Sequence, residues 1–357
     1  MKVSVARPHE LDEVHLERWR GFQRSDERLL NPFLSPEFAL AVGRARSTAR
    51  VAVLDDGRGT GYFAYERGWM GIGRPIGSGI CDAQAVVNGP DMHWEAQELL
   101  RGCGLAVWEF DHLLAHQELL APYHVVSERS PVIDLAGGFE RYAAARRHRA
   151  KESRRVQRML EREVGEVRTD FDVRDREVLR LLMRWKSAQY RRTGRFDRFA
   201  NRAIVQVVEE LMASRSEGCS GVLSALYAGG QPVAARFGLR SHHVLVGRFP
   251  AFDPSFAKYK PGSLLLWKVA EASAAHGVSR IDLGKGHEGY KRDFMNADVA
   301  LAEGWVARRT PVAALRGLQR APRRFVMDFV LSRPTLRLGA RRALRGVGYV
   351  RTMGSTR

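Results

Sequence analysis

Cysteine is scarce in this sequence, and long apolar runs are missing. The three cysteines, Cys81, Cys103 and Cys219, are odd in number and far apart, so neither a disulfide framework nor a zinc knuckle is expected. No apolar run approaches the ~20 residues that a helix needs to cross a bilayer, and the first residues lack the apolar core of a signal peptide. We therefore expect a cytoplasmic protein in a reducing environment.

Metal ligands in a recognisable arrangement are lacking as well. Neither a His-x-x-x-His pair nor a carboxylate cluster at ligand spacing suggests a metal, so the sequence predicts no metal site. The stretch Gly284–Gly289 formally fits Gly-x-Gly-x-x-Gly, but the residues after it, from Tyr290 to Asn296, give little apolar helix. Because a Rossmann dinucleotide site needs that helix, we do not interpret the pattern as one.

Two segments carry nearly all of the net positive charge. The chain has 357 residues, enough for two domains of ordinary size, and a formal net charge of +18. Residues 139–163 contain 9 Lys or Arg and 4 acids, and residues 308–357 contain 13 Arg and one acid, Asp328. The basic character therefore belongs to one helix and one tail rather than to the folded cores.

The two halves of the chain have a similar order of predicted elements. Hydrophobic periodicity and turn residues predict, in the first half, a helix over 37–44, a hairpin of strands over 50–54 and 61–65, a helix over 92–101 and a strand over 105–110. In the second half they predict helices over 174–191 and 203–214, a hairpin of strands over 221–227 and 232–239, and strands over 243–249 and 301–306. A long basic helix over 139–164 is predicted between the halves.

The most informative stretch runs from Asp253 to Asp293. Pro261 suits the first turn of a helix, and Gly262 and Ser263 allow a ligand to approach closely. The apolar helix predicted after them has an N-terminus suited to a phosphate or pyrophosphate. A short strand over 279–283 follows and ends in a glycine-rich turn. The polar residues at this turn are Asp282, Lys285, His287, Glu288, Tyr290 and Lys291.

This stretch resembles the GNAT-type acetyltransferase domain of the CelD-like proteins of cellulose and exopolysaccharide biosynthesis, which are distant relatives of the FemAB peptidyltransferases. A weaker resemblance extends from about Asn31 to Val306. The usual GNAT pyrophosphate loop, [RQ]-x-x-G-x-[GA], is absent, and only Gly262-Ser263 stands at its place. The resemblance is carried by Asp253-Pro254, Tyr259, Pro261-Gly262, the leucine-rich helix, His276-Gly277, the run from Ile281 to Gly286, and Tyr290-Lys291.

The resemblance implies an α+β fold of two tandem GNAT-like domains, with mixed central sheets flanked by helices and joined by the long basic helix. The expected divisions are a degenerate N-terminal domain over 1–138, a basic linker helix over 139–168, a C-terminal acyltransferase domain over 169–309 and a basic tail over 310–357. The implied enzyme moves an acetyl or other acyl group from acyl-CoA to an amine or hydroxyl of a sugar, a polysaccharide precursor or another small acceptor.

Direct acyl transfer requires that the thioester is held, the acceptor deprotonated and the oxyanion stabilised. In enzymes of this type a backbone amide of a splayed strand polarises the thioester. For each residue named below a structural role is the alternative: a hydrogen bond to loop amides for Asp282, packing for Tyr290, and a solvated charge for any lysine. The candidates for proton transfer are Asp282, Glu288, His287 and His243, with Tyr290 as proton donor to the leaving thiolate. The candidates for acyl-CoA binding are Tyr259, Lys260, Pro261, Gly262, Ser263 and Lys291.

Two other functions stay open at this point. A FemAB-like transferase would draw on aminoacyl-tRNA, and the basic helix would then bind the RNA backbone. A non-catalytic scaffold would attach to an envelope or exopolysaccharide synthase, or to the inner membrane face, through the basic tail, where Phe325, Val326, Phe329 and Val330 can share one face. The basic helix faintly resembles a bZIP basic region, but Gly165 stops it before any zipper, so DNA binding is not expected.

Overall fold

A computed structural model describes residues 1–286 and 289–319 of the chain. The strands are β1 (Lys2–Ala6), β2 (Ala49–Asp55), β3 (Thr60–Arg67), β4 (Ile72–Pro75), β5 (Val87–Asn88), β6 (Val107–Leu114), β7 (His124–Asp134), β8 (Val167–Asp170), β9 (Ser220–Ala228), β10 (Gln231–Ser241), β11 (Val244–Phe252), β12 (Arg280–Asp282) and β13 (Ala297–Ala307). The helices are α1 (Glu13–Ser25), α2 (Pro36–Ala45), α3 (Ala96–Gly102), α4 (Gly138–Ala145), α5 (Arg147–Glu163), α6 (Arg176–Arg192), α7 (Arg202–Ala213), α8 (Pro261–Ala275) and α9 (Lys291–Phe294). Residues 311–319 are also helical.

All of these strands belong to one mixed sheet. Its order is β1-β2-β3-β4-β6-β13-β7-β12-β11-β10-β9-β8, with β5 paired to β3. The pairs β4–β6 and β11–β12 are parallel, and the pairs along the rest of the path are antiparallel. The predicted α+β class, with a mixed sheet flanked by helices, is confirmed.

The last strand joins the two halves of the chain. The predicted closing strand of the second half is β13, which lies between β6 and β7 of the first half. In turn, β7 pairs with β12 of the second half. The strands of the two halves are therefore interleaved in one continuous sheet, and the division into domains given above stays a prediction.

Helices cover both faces of the second half of the sheet. Leu182 of α6 and Val207 of α7 are fully buried in one apolar cluster, and Leu160 of α5 and Leu266 of α8 are fully buried in another. Burying each such side chain contributes about 1.5–3 kcal/mol to folding. A third cluster packs α3 against the strands of the first half.

Local signals predicted several elements well. Ser35 caps α2 as expected, because its side chain accepts a hydrogen bond from the Phe38 amide at 3.1 Å. The predicted long basic helix is instead two helices, α4 and α5, separated at Arg146, whose φ of −113° and ψ of 41° are not helical. The Arg146 guanidinium donates to the Met295 carbonyl, and this long-range contact was not visible in the local sequence.

Candidate functional site

The strands β11 and β12 run side by side over three residue pairs and then separate. The pairs run from Val244 with Arg280 to Val246 with Asp282. Beyond them β12 ends, whereas β11 continues to Phe252. We call the space between residues 247–252 and residues 283–286 the β11–β12 opening. It lies at the carboxyl ends of two parallel strands, where α/β sheets commonly bind ligands.

A bulge changes the course of β11 at the start of this opening. On β10, Phe237 faces Phe249 and Gly238 faces Gly247, so Arg248 is an extra residue without a partner position. A bulge re-aims side chains and bends the strand. Here it is accompanied by an ion pair between Arg248 and Asp82, with Nη1 and Oδ2 3.1 Å apart.

Helix α8 begins beside the far end of β11. Lys260 precedes the helix in the left-handed conformation, with φ of 51°, and Pro261 occupies the first turn. A Cβ placed on Gly262 would lie 3.7 Å from the Phe252 ring, which shows how close the helix start is to the strand. The first amides of a helix have no intrahelical partners. Gly262 provides such an amide here, whereas the Ser263 amide donates to the Lys260 carbonyl at 3.0 Å.

The predicted acyl-CoA-binding side chains before α8 are engaged by helix α5. The buried Tyr259 donates its hydroxyl to Glu163 Oε2 at 2.9 Å, and Lys258 Nζ lies 3.0 Å from the same oxygen. Hydrogen bonds from Arg162, Lys258 and Tyr259 lower the pKa of Glu163 to about 2. Lys260 Nζ lies 3.3 Å from Glu152 of α5. These side chains fix the start of α8 against α5, which leaves the Gly262 amide as a donor available to a ligand.

Asp282 lies buried where the two strands separate. Its Oδ1 accepts hydrogen bonds from the Ser130 hydroxyl and, at 2.8 Å, from the Gly284 amide. Burial raises the pKa of this carboxyl, and the nearby Asp82 adds to the rise. A raised pKa suits a general base, and the same hydrogen bonds also fit the structural role considered above.

Lys291 holds the glycine-rich turn from the other side. Its Nζ donates to the Gly284 carbonyl at 2.7 Å and to the Lys285 carbonyl at 3.0 Å. Burial lowers the pKa of Lys291 to about 8, although Asp82 and Asp282 act in the opposite direction. The structure therefore brings two of the predicted site residues, Asp282 and Lys291, to the same turn.

The remaining predicted residues are placed differently. Tyr290 is 36% exposed and contacts Phe294 edge-on, with ring centroids 6.4 Å apart. His243 lies just before β11, where its carbonyl accepts from Ser279 and Arg280, so it is at the opposite end of the strand from the opening. His287 and Glu288 lie outside the described residues.

Several charged residues at the opening were missed by the sequence analysis. The first half supplies Asp82, Ser130 and His112, whose Nε2 lies 3.4 Å from Asp82 Oδ1. From the second half, Lys186 of α6 donates to the Pro250 carbonyl at 2.9 Å, and Arg236 of β10 lies against Gly247. A charge inside an apolar strand, as in Val233-Ala-Ala-Arg236-Phe-Gly-Leu239, is the signal that could have indicated Arg236.

Within the described ranges, no group of three or more His, Cys, Asp or Glu is placed to hold a metal ion. Among the helices of those same ranges, none combines the length and the apolar character that crossing a bilayer requires.

Comparisons with solved structures show the fold. The chain is similar to FemX with a TM-score of 0.59 and 9% identity, over 88% of this chain and 99% of that one. It is similar to L-PGS from Bacillus licheniformis with a TM-score of 0.50 and 12% identity, over 87% and 96%. It is also similar to a conserved protein of unknown function from Bacteroides thetaiotaomicron, with a TM-score of 0.52 and 13% identity, over 83% and 98%.

The family comparison concerns the segment that carries the opening. No curated protein sequence matches the chain. Residues 146–292 match the family model described as the acetyltransferase (GNAT) domain. This segment includes α5, α8, β11 and β12. The family match and the fold together support an enzyme of the GNAT acyltransferase type.

Proposed function

We propose that this protein transfers an acyl group from acyl-CoA to an amine or hydroxyl acceptor at the β11–β12 opening. The observation that carries the proposal is the separation of β11 from β12 after Val246, with the start of α8 beside the end of β11 at Phe252. A donor lying along β11 would place its thioester at the opening. Its phosphates would then meet the Gly262 amide, beside Ser263, and the positive end of the helix dipole.

The chemistry follows from the groups at the opening. An amide of β11 beyond Val246 donates to the thioester carbonyl and stabilises the oxyanion. Asp282 accepts the proton of the acceptor as its nitrogen or oxygen bonds to the carbonyl carbon. The carbon–sulfur bond then breaks, and the leaving thiolate takes a proton from Tyr290. His287 and Glu288 are the alternative groups for either proton transfer.

The predicted acyl-CoA-binding residues divide into two groups in this proposal. Gly262 binds through its backbone amide, Ser263 lies beside it, and Pro261 fixes the first turn. Tyr259 and Lys260 act by positioning that turn, because their side chains contact Glu163 and Glu152 of α5. Lys291 shapes the glycine-rich turn at the thioester end.

Calorimetry with acetyl-CoA tests the proposal. Wild-type protein should bind with a micromolar dissociation constant, and Gly262→Trp should abolish binding because the indole would fill the space beside Phe252. Glu271→Trp, on the exposed side of the same helix, is the matched control and should bind as the wild type does. An acetyl-CoA affinity that is the same in Gly262→Trp as in the wild type, or no binding of any acyl-CoA, would contradict the proposal.

A second candidate is aminoacyl transfer from a charged tRNA, and an exposed row of cations on α5 favours it. The row follows one face of the helix at spacings of three or four residues, and its members are Arg147, Lys151, Arg154, Arg158 and Arg162. Such a row suits a phosphate backbone. The fold similarity to FemX is consistent with this candidate but shows the fold alone.

Titration with tRNA separates the two candidates. Aminoacyl transfer predicts binding that weakens steeply with salt and is reduced at least tenfold in a Lys151→Glu/Arg154→Glu/Arg158→Glu variant. Acyl-CoA transfer predicts no specific tRNA binding and no change in acetyl-CoA affinity in the same variant.

The chemical class of the acceptor is a further part of the proposal. A sugar or polysaccharide precursor, as in the CelD-like proteins, is proposed on the sequence resemblance alone. The tail residues proposed to contact a membrane or a synthase, from Arg320 onward, lie outside the described residues.

A further inference from the structure

Arg236 is almost completely buried, and no carboxylate of the described residues forms an ion pair with it. It lies on β10 and is 5% exposed. Its Nε has no hydrogen-bond partner among the described residues, and the nearby carboxylate of Asp82 is paired with Arg248 instead. A guanidinium carries its charge at any physiological pH, and burying one without a partner is strongly unfavourable. An anionic ligand would relieve this cost, since the described residues supply no such partner.

The position of this guanidinium is set by Gly247. A Cβ placed on Gly247 would overlap the Arg236 guanidinium, so only glycine leaves room for it there. Gly247 is the first residue of β11 beyond its pairing with β12. The unpaired charge therefore lies at the inner end of the β11–β12 opening, beside the place proposed for the thioester.

Several cations lie with Arg236 around the opening, together with the carboxylates Asp82 and Asp282. Burial lowers the pKa of Lys186 to about 7, and Arg248, Arg195, Arg198 and Arg236 lower it further. Burial and Arg248 also lower the pKa of Arg198. Cations that lower the pKa values of one another in this way form a site that favours an anion.

On the basis of the proposed acyl transfer, we propose that the substrate carries an anionic group, a carboxylate or a phosphate, and that Arg236 binds this group beside the reacting carbonyl. The phosphates of coenzyme A are too far away to fill this role. They would lie at the start of α8, beyond Phe252, which is about 16 Å from Gly247 at about 3.3 Å per strand residue. The anion therefore belongs to the acyl group or to the acceptor.

Thermal unfolding of the full chain with inorganic phosphate or succinate, against chloride at equal ionic strength, tests this inference. The melting temperature of the wild type should rise saturably with at least one of the two anions. Arg236→Met should show no rise, and without anion it should melt at or above the wild-type temperature because an unpaired buried charge is gone. No rise in the wild type, or the same rise in Arg236→Met, would overturn the inference.

Two further variants serve as controls, one for the loss of any arginine from β10 and one for failure of Arg236→Met to fold. Arg240→Met removes another arginine of β10, which donates to the His242 and His276 carbonyls. Its melting temperature should be lower than that of the wild type but should still rise when the anion is added. If Arg236→Met does not fold, Arg236→Lys keeps the charge without the planar fork and should bind the anion at least tenfold more weakly. An unchanged affinity in the lysine variant would count against Arg236 as the binding group.

Calorimetry then identifies which substrate carries the anion. Succinyl-CoA binding at least tenfold tighter than acetyl-CoA in the wild type, but not in Arg236→Met, would place the carboxylate on the acyl group. Equal affinities, with anion-dependent stabilisation of the acetyl-CoA complex, would place it on the acceptor. If no acyl-CoA binds while an anion still stabilises through Arg236, the proposed function fails and the anion site stands.

Discussion

The chain contains the same strand–helix–strand arrangement twice, once closed by aromatic side chains and once lined with charges. In the first half β4 and β6 are parallel and α3 lies between them in sequence, and in the second half β11, α8 and β12 repeat this order. A Cβ on Gly73 of β4 would meet Leu105 at 2.8 Å and Trp108 at 3.2 Å, whereas one on Gly247 of β11 would meet the Arg236 guanidinium. The arrangement itself is therefore not a site, and the side chains that fill the space between the strands decide its role.

The first half also contributes side chains to the opening of the second half. Its space is filled by Trp108, which is 1% exposed and packs edge-on against Phe63 with ring centroids 4.9 Å apart. Yet it extends Asp82 and Ser130 into the opening of the second half, where they contact Arg248 and Asp282. One half supplies packing and polar contacts, and the other supplies the opening.

The largest expected effect is a loss of turnover when a side chain at the opening of the second half is changed. Asp282→Asn should lower turnover by a factor of about 10² to 10⁴, because general-base assistance is lost. Release of free thiol from acetyl-CoA in the presence of an acceptor measures it. Asp134→Asn, an exposed carboxylate on the adjacent strand β7, is the control and should retain turnover. Full activity in Asp282→Asn would leave this residue with its structural hydrogen bonds only.

The next largest effect is a loss of stability when an aromatic side chain of the first half is removed. Trp108→Ala should lower the free energy of unfolding by about 3–5 kcal/mol, because it empties a packed aromatic site. Urea unfolding measures the loss. Since Trp108 is remote from the opening in this account, the affinity for acetyl-CoA at low denaturant should not change, and a loss of affinity larger than tenfold would contradict the division between the halves.

Adding one methyl group should mainly lower stability at Gly73 and mainly remove the response to anions at Gly247. Gly73→Ala should destabilise the protein by about 1–3 kcal/mol, because Leu105 and Trp108 are packed against it. Gly247→Ala should displace the end of the flexible Arg236 side chain, which costs less stability but removes the response to phosphate or succinate. Melting temperatures with and without anion measure both effects. The reverse pattern would show that the two glycines have been assigned the wrong roles.

The smallest effect is a dependence of stability on pH. Burial raises the pKa of Asp282 in the folded protein above the value of about 3.9 in an unfolded chain. The preference of the fold for the neutral carboxyl therefore stabilises fully below pH ~3.9 and is lost as pH rises through the folded pKa. Relative to the wild type, Asp282→Asn should gain stability between pH 4 and pH 7, as measured by urea midpoints. A difference that does not vary with pH would contradict the raised pKa.

Local signals allowed part of this fold to be predicted. The cap at Ser35, the hairpin of β2 and β3 and the proline at the start of α8 each depend on a few neighbouring residues, and each was found. The break at Arg146 and the insertion of β13 between β6 and β7 depend on partners far away in sequence, so periodicity gave no sign of them.

The site was predictable to a similar degree. Asp282 and Lys291 follow a recognisable strand and turn, and the structure brings them together at that turn. The contacts of Asp82 and Ser130 with the second half need the folded sheet. The lack of a counterion for Arg236 among the described residues is visible only once the contacts of that side chain are known. The lysines before α8 illustrate the converse, because Glu152 and Glu163 of α5 engage charges that the sequence offered to a ligand.

The most direct test of the central claim is a crystal structure of the full chain with acetyl-CoA. We predict the thioester carbonyl within hydrogen-bond distance of a β11 amide between Gly247 and Phe252, with the pyrophosphate at the Gly262 amide. Coenzyme bound between β4 and β6, or anywhere else that leaves the β11–β12 opening empty, would contradict it.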